Sequence, residues 1–213
     1  MKLTRLGHSA LLVETDRTRV LIDPGNMSSS WHDVTGLDAV LVTHQHPDHV
    51  DTSHLGALLE ANPDARLIVE TAVAEMVSGS SQAVGPGVSL EIGGLAIDTV
   101  GGRHALIHER IPLIGNVGYV ISDGSGPRLF HPGDSYGTAP EGIDVLALPI
   151  TAPWTAVGPT ADFLNAVGPV RAFPIHDAIL SEIGHRLHMR VVGELASEAI
   201  DLVDLGPTDS FQV

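Results

Sequence analysis

Short apolar runs in this chain repeatedly stop at a residue that can bind a cation. Asp23 follows "VLI", His44 follows "LVT", His104 follows "IDTVGGR", Asp134 follows "LFHPG" and His176 follows "AFPI". Runs of this length, rich in Val, Leu and Ile and bounded by Gly, Pro or Asp, read as strands. In layered α/β architectures ligand sites form outside strand ends, where loops from several strands meet on one rim. The fold is therefore expected to bring these five residues together, although they are scattered through the chain.

The 213 residues are expected to form one domain, 1–213, with a substantial core. Apolar residues make up 43% and aromatics only 4%, so that core must be built from Val, Leu, Ile and Ala. "KLTRLG", "ALLVET" and "RVLID", with a turn at Asp16 and Arg17, give an antiparallel opening. "AVLVTH" has the continuity of a strand buried on both faces. "RLIVE", "VSLEI", "GLAIDTV", "GYVIS", "RLFHPGD", "DVLALPI" and "RAFPIHD" follow as further strands. Three helices are expected. The first is capped by Thr52 or Ser53, carries Leu55, Leu58 and Leu59, and ends near Asn62 and Pro63. The second is capped by Thr160, turns Phe163, Leu164 and Val167 inward, and ends at Gly168 and Pro169. The third runs from Ser181 to Ala196 on a face of Ile183, Leu187, Val191 and Leu195. Helices covering both faces of a mixed sheet assembly, an α/β fold, is the economical arrangement.

Between Thr43 and Asp51 the chain reads "THQHPDHVD". His44 and His46 are one residue apart, so in an extended segment both side chains leave on the same side, as two ligands of one ion need. Pro47 keeps His46 away from helical geometry. Asp48 and His49 sit where the chain turns toward the following helix and can face a second ion. The bridging carboxylate that two close ions need is best supplied by Asp134, because Gly133 allows close backbone approach. His104 and His176 would complete the two shells. There are no cysteines, which leaves His and carboxylates as the ligands and excludes disulfides.

"THQHPDH", the first His of "GGRHALIH", the Asp of "HPGDS" and the His of "PIHD" together resemble the ordered metal-binding motifs of the metallo-β-lactamase superfamily. "LGHSALLVE" with "VLIDPG" is similar, more narrowly, to small metal-dependent hydrolases of the ascorbate 6-phosphate lactonase type. The resemblance runs from Lys2 to Asp177. It implies a four-layer αββα sandwich with a binuclear site: His44, His46 and His104 on one ion, Asp48, His49 and His176 on the other, and Asp134 between them. Zinc is the expected ion, with manganese and iron as alternatives.

Other histidines compete for these roles. His104 is favoured over His108 because it directly follows a Gly-Gly turn at a strand end. His131 reads as a packing or supporting residue. His8 either orients a ligand, touches substrate or bonds to backbone, and Asp23 secures the loops by accepting backbone hydrogen bonds. His185 and His188 read as surface features of the last helix. Trp31, His32, Ile111 to Asn116 and Trp154 are expected around a substrate pocket. The chemistry expected is hydrolysis, with a metal-bridging hydroxide as nucleophile and Asp48 taking or relaying a proton. The expected substrate is a small cytoplasmic ester, lactone or similar metabolite. A phosphodiesterase or phospholipase-like activity, oxidation at iron and a catalytically silent metal-binding protein are the rivals. The net charge of −15 opposes a nucleic-acid surface. No segment reads as a signal peptide or a membrane span, so the expected location is the cytoplasm.

Overall fold

Local pairing of short strands builds the first sheet. β1 (Lys2–Arg5), β2 (Leu11–Glu14) and β3 (Arg19–Ile22) pair antiparallel, and β4 (Ala39–Val42), β5 (Arg66–Glu70) and β6 (Gln82–Val84) extend the sheet in parallel. β7 (Ser89–Ile92), β8 (Leu95–Gly101), β9 (Val117–Ser122) and β10 (Leu129–His131) run antiparallel in a second sheet. β11 (Val145–Pro149), β12 (Arg171–Ile175) and β13 (Asp201–Leu202) continue it in parallel, while β14 (Ser210–Gln212) returns to the first sheet beside β1. This computed structural model describes residues 1–124 and 126–213 and contains α1 (Leu55–Ala61), α2 (Val157–Val167) and α3 (Glu182–Leu195).

Period-two alternation divides the apolar side chains between layers. Leu41 of β4 joins Leu3, Val13, Ile97, Tyr119 and Phe173 between the sheets. Val40 and Val42 of the same strand face outward onto Leu55 and Leu58 of α1. On the far side, Leu146 and Leu148 of β11 pack with Phe163 and Leu164 of α2 and with Met189 and Val192 of α3. The four layers are thus helix, sheet, sheet, helix, the expected αββα sandwich. At seven residues α1 is too short to persist alone, and burial of Leu55 and Leu58, worth about 1.5–3 kcal/mol each, holds it in place. Among the described residues no helix is long and apolar enough to cross a membrane.

The helices differ from the sequence reading in three ways. Neither Thr52 nor Ser53 caps α1. His54 occupies that position without a side-chain cap, and Asp51 does the work a turn earlier, its Oδ1 accepting the Ser53 N–H at 2.9 Å. α2 (Val157–Val167) is capped at Ala156 rather than Thr160, because Pro159 is compatible with a first helical turn. Thr160 then bonds back to the Ala156 carbonyl at 3.1 Å. In α3, Ser181 is the cap and accepts the Gly184 N–H, but the expected inward face is turned out: Ile183 is 73% and Leu195 52% exposed. Met189 and Val192 are buried instead. His185 and His188 lie toward that inner side with partners of their own, Asp177 and Asp204 for His185 and the Gly184 carbonyl for His188. A helix face can therefore turn inward with imidazoles on it, provided they are satisfied.

Candidate metal centre

The parallel strands β3 and β4 end side by side at Asp23 and at Thr43 and His44. β12 ends at His176, while β8, which runs the same way as β10, leads to His104. The loops that follow are tied to one another. Val117 N–H donates to the Thr43 carbonyl, Ala105 N–H to the Asp134 carbonyl, and His176 N–H to the His8 carbonyl. The segment after His44 folds on itself through His49 and Val50 N–H groups on the His46 carbonyl. It lies hard against Gly25, where a Cβ would stand 1.7 Å from the Asp48 carbonyl oxygen, so only glycine permits the approach. Gly133, at φ +59°, is as constrained: a Cβ there would stand 2.3 Å from Asn116 Oδ1. Asn116 receives the Asp134 N–H at 3.0 Å and so aims that carboxylate.

Hydrogen bonds on one ring nitrogen fix what the other presents. Thr43 Oγ1 donates to Asp23 Oδ2 at 2.8 Å and accepts from His44 Nδ1 at 3.0 Å. Asp23 Oδ2 also receives His49 Nδ1 at 2.6 Å. His104 Nδ1 donates to the Ala105 carbonyl at 2.6 Å and His176 Nδ1 to the Thr151 carbonyl at 2.7 Å. In all four it is Nε2 that is left facing inward. His49 Nε2, His104 Nε2, His176 Nε2 and Asp134 Oδ1 are buried without a well-directed hydrogen bond among the described residues. Each such atom costs about 1–3 kcal/mol unless something else satisfies it.

A divalent cation fits that need. His44, His46, His104 and Asp134 offer ligand atoms within 4.8 Å of one another, and so do His8, Asp48, His49 and His176. His44 Nε2 and His46 Nδ1 are 3.1 Å apart. Two tetrahedral Zn–N bonds of about 2.0–2.1 Å would place their nitrogens about 3.4 Å apart, close to that separation. All seven residues singled out in the sequence lie in these two groups, with Asp134 beside His44, His46 and His104, and with His8 joining Asp48, His49 and His176.

The electrostatics carry the same mark. Burial works against charge on His49 and His176, yet the facing carboxylates prevail. Asp134 and Asp23 hold His49 well above the imidazole range, and Asp134 with Asp48 raises His176 to about 9. Burial disfavours charge on Asp134 as well, but His49 and His176 hold it well below the usual carboxylate range. Burial pushes His44 well down, leaving it neutral.

His8 differs from the other histidines of the centre. Its Nδ1 accepts the Ala178 N–H at 3.3 Å, so the proton sits on Nε2, which donates to Asp48 Oδ2 at 3.2 Å. In that tautomer Nε2 carries a proton, and His8 meets the centre through Asp48. His8, Asp23 and His176 all have left-handed φ, at 46°, 49° and 60°. Such a conformation costs a non-glycine residue about 1–3 kcal/mol, so strain is concentrated at this rim.

Trp154 Nε1 donates to Asp134 Oδ2 at 2.8 Å, which puts the indole beside the centre. Trp31 is a correction. It is fully buried against the first sheet with Nε1 on the Gly25 carbonyl, so it supports the loop and cannot touch substrate. His108 is exposed, accepts the Arg110 N–H and is in neither group, whereas His104 is in the first. His131 Nε2 donates to the Ser9 carbonyl at 3.0 Å, a packing role. The supporting roles of Thr43, Asn116 and the Thr151 carbonyl escaped the sequence reading. Only the "VTH" and "GNV" contexts at strand ends carried any signal.

Residues 2–176 match the family model described as "Beta-lactamase superfamily domain". The chain is 46% identical over 182 residues to the Mycobacterium tuberculosis protein Rv0786c, covering 85% of this chain and 86% of that one. It is 31% identical over 238 residues to the UPF0173 metal-dependent hydrolase MK1542 of Methanopyrus kandleri, with 100% of both chains covered. Among solved structures, the metallo-beta-lactamase fold protein YhfI from Bacillus subtilis matches with a TM-score of 0.77 at 17% identity, over 99% of this chain and 98% of that one.

Proposed function

The chain belongs to the metallo-β-lactamase superfamily, and from that premise we propose that it is a metal-dependent hydrolase with a binuclear His/Asp centre acting on a small ester or lactone. The observation that carries the reading is the placing of Asp134. Its Oδ1 lies 3.0 Å from His49 Nε2, and its Oδ2 lies 3.1 Å from His176 Nε2 and 3.5 Å from His104 Nε2. One carboxylate therefore touches both groups of histidines, as a bridging ligand must.

Two divalent ions, with zinc the first choice, would supply a water of lowered pKa and polarise the substrate oxygen. Asp48 is the least buried carboxylate of the centre, 18% exposed, and its Oδ2 is held by His8. With the ions bound, Asp48 would take the proton of the attacking water and hand it to the departing oxygen as the acyl–oxygen bond breaks, and His8 would hold Asp48 in place for that transfer. Trp154, packed on Tyr136 at 4.7 Å, fixes Asp134 from the other side.

The surroundings favour a small, partly apolar substrate. A cavity of about 620 Å³ adjoins His8, its wall mixing Met27 and Leu180 with charged Arg5, Asp177, Glu182 and Arg186, a size suited to a small metabolite. The loop beside His46 and His104 carries exposed Leu106, Ile111 and Leu113. The test is metal content by plasma mass spectrometry together with turnover of a panel of lactones, carboxylic esters and phosphodiesters. Two ions per chain, reduced in His46→Ala and Asp134→Ala, with ester or lactone turnover abolished by chelation, is the expected result. No bound metal after reconstitution would overturn the reading, and iron without hydrolysis would move it to oxidation chemistry.

A further inference from the structure

The geometry points to a second, outer cation site formed by His32, Asp51 and His54, which would take a borderline divalent ion such as Zn2+ or Ni2+. Each residue offers one ligand atom, and these lie within 4.8 Å of one another. Asp51 is buried, with Oδ1 fixed by the Ser53 N–H at 2.9 Å and Oδ2 turned to His54 Nδ1 at 2.6 Å. His32 comes from a different loop and stacks on His54, with ring centroids 4.3 Å apart and planes 17° apart. Its ring is held edge-on to Trp31 at 4.4 Å, and Trp31 is locked in turn by its bond to Gly25. Two imidazoles and one carboxylate, positioned by a buried indole and a backbone amide, form a nitrogen-rich donor set that suits zinc, nickel or copper better than magnesium or calcium. His54 is half exposed, which gives an ion a path in and leaves coordination positions for water.

The site lies outside the seven ligands of the inner centre and does not rest on the hydrolase reading. It does share a segment with that centre. Asp51 and His54 follow directly on His49, and Asp51 N–H is bonded to the Pro24 carbonyl. An ion here would clamp the loop bearing His32 to the segment that carries inner ligands.

The test begins with protein loaded at the inner centre. Further Zn2+, and separately Ni2+, is added by equilibrium dialysis, and bound metal is counted by plasma mass spectrometry in wild type, His32→Ala and His54→Ala. The expected result is three ions per chain in wild type and one fewer in each variant, with thermal stability rising as the third ion binds in wild type only. A wild-type count that does not rise in excess metal would overturn the site, as would a third ion undiminished in both variants. Failure of the inner reading looks different: the count then starts lower and is insensitive to His46→Ala, while the ion lost in His54→Ala is still seen.

Discussion

His8 and His176 both face Asp48, yet their backbone partners give them opposite tautomers. His176 spends its Nδ1 proton on the Thr151 carbonyl and presents a lone pair, while His8 accepts the Ala178 N–H and presents a proton. The His8→Asn variant, which tolerates the left-handed φ, should therefore keep its bound metal and lose about 10–100-fold in kcat. Unchanged kcat would remove His8 from the positioning of Asp48, and loss of metal would make it a ligand. Asp23 is the opposite case, a residue that never faces the centre but holds two that do. Asp23→Asn removes the anionic acceptor from His49 Nδ1 and Thr43 Oγ1. Metal affinity should fall about 10–100-fold, read by competition with a chromogenic chelator. An affinity equal to wild type would show that the Thr43 hydroxyl alone suffices.

Among the elements, the loops between strands are more exacting than the strands. In Gly25→Ala the new methyl would occupy the place of the Asp48 carbonyl, and backbone cannot yield as a flexible side chain can. The expected loss is about 3 kcal/mol or more, measured as a fall in the urea midpoint, with metal binding lost in the same variant. A loss below about 1 kcal/mol would mean that the 23–26 turn can move away from the ligand segment at little cost. That contact was not legible in the sequence, because nothing in "DPGN" names its distant neighbour. The interior strands were legible, since apolar runs such as "AVLVTH" are long enough to show their pattern. β6, β13 and β14 were not: each has two or three residues and lies at a sheet edge, too short for alternation to register. The outward turn of Ile183, Leu187 and Leu195 on α3 was hidden for another reason. The sequence shows which residues are apolar, but not that His185 would find both Asp177 and Asp204.

At the scale of the molecule, the centre is a junction between two sheets. His44, His46 and His49 follow a strand of the first sheet, while His104, Asp134 and His176 follow strands of the second. The candidate ligands stood out in the sequence because strand ends gather at one rim. The outer framework of Asp23, Thr43 and Asn116 could not, since its atoms act through hydrogen bonds that only the packed sheets create. With carboxylates crowded at this junction, either cations or protons must balance them. His176, raised to about 9 from the ordinary 6.5, takes up a proton on folding in chelator-treated protein. A histidine whose pKa is raised by folding stabilises the fold fully below its unfolded value and loses that contribution as pH rises through the folded value. The melting temperature of stripped protein should therefore decline between pH 6.5 and about 9, and His49 adds in the same direction. Metal-loaded protein, in which cations replace those protons, should show little decline over the same range, and loading at pH 7.5 should release protons into a weakly buffered solution. A stripped protein as stable at pH 9 as at pH 6.5 would show that the junction is not held by imidazolium, and the charge balance between the sheets would have to come from elsewhere.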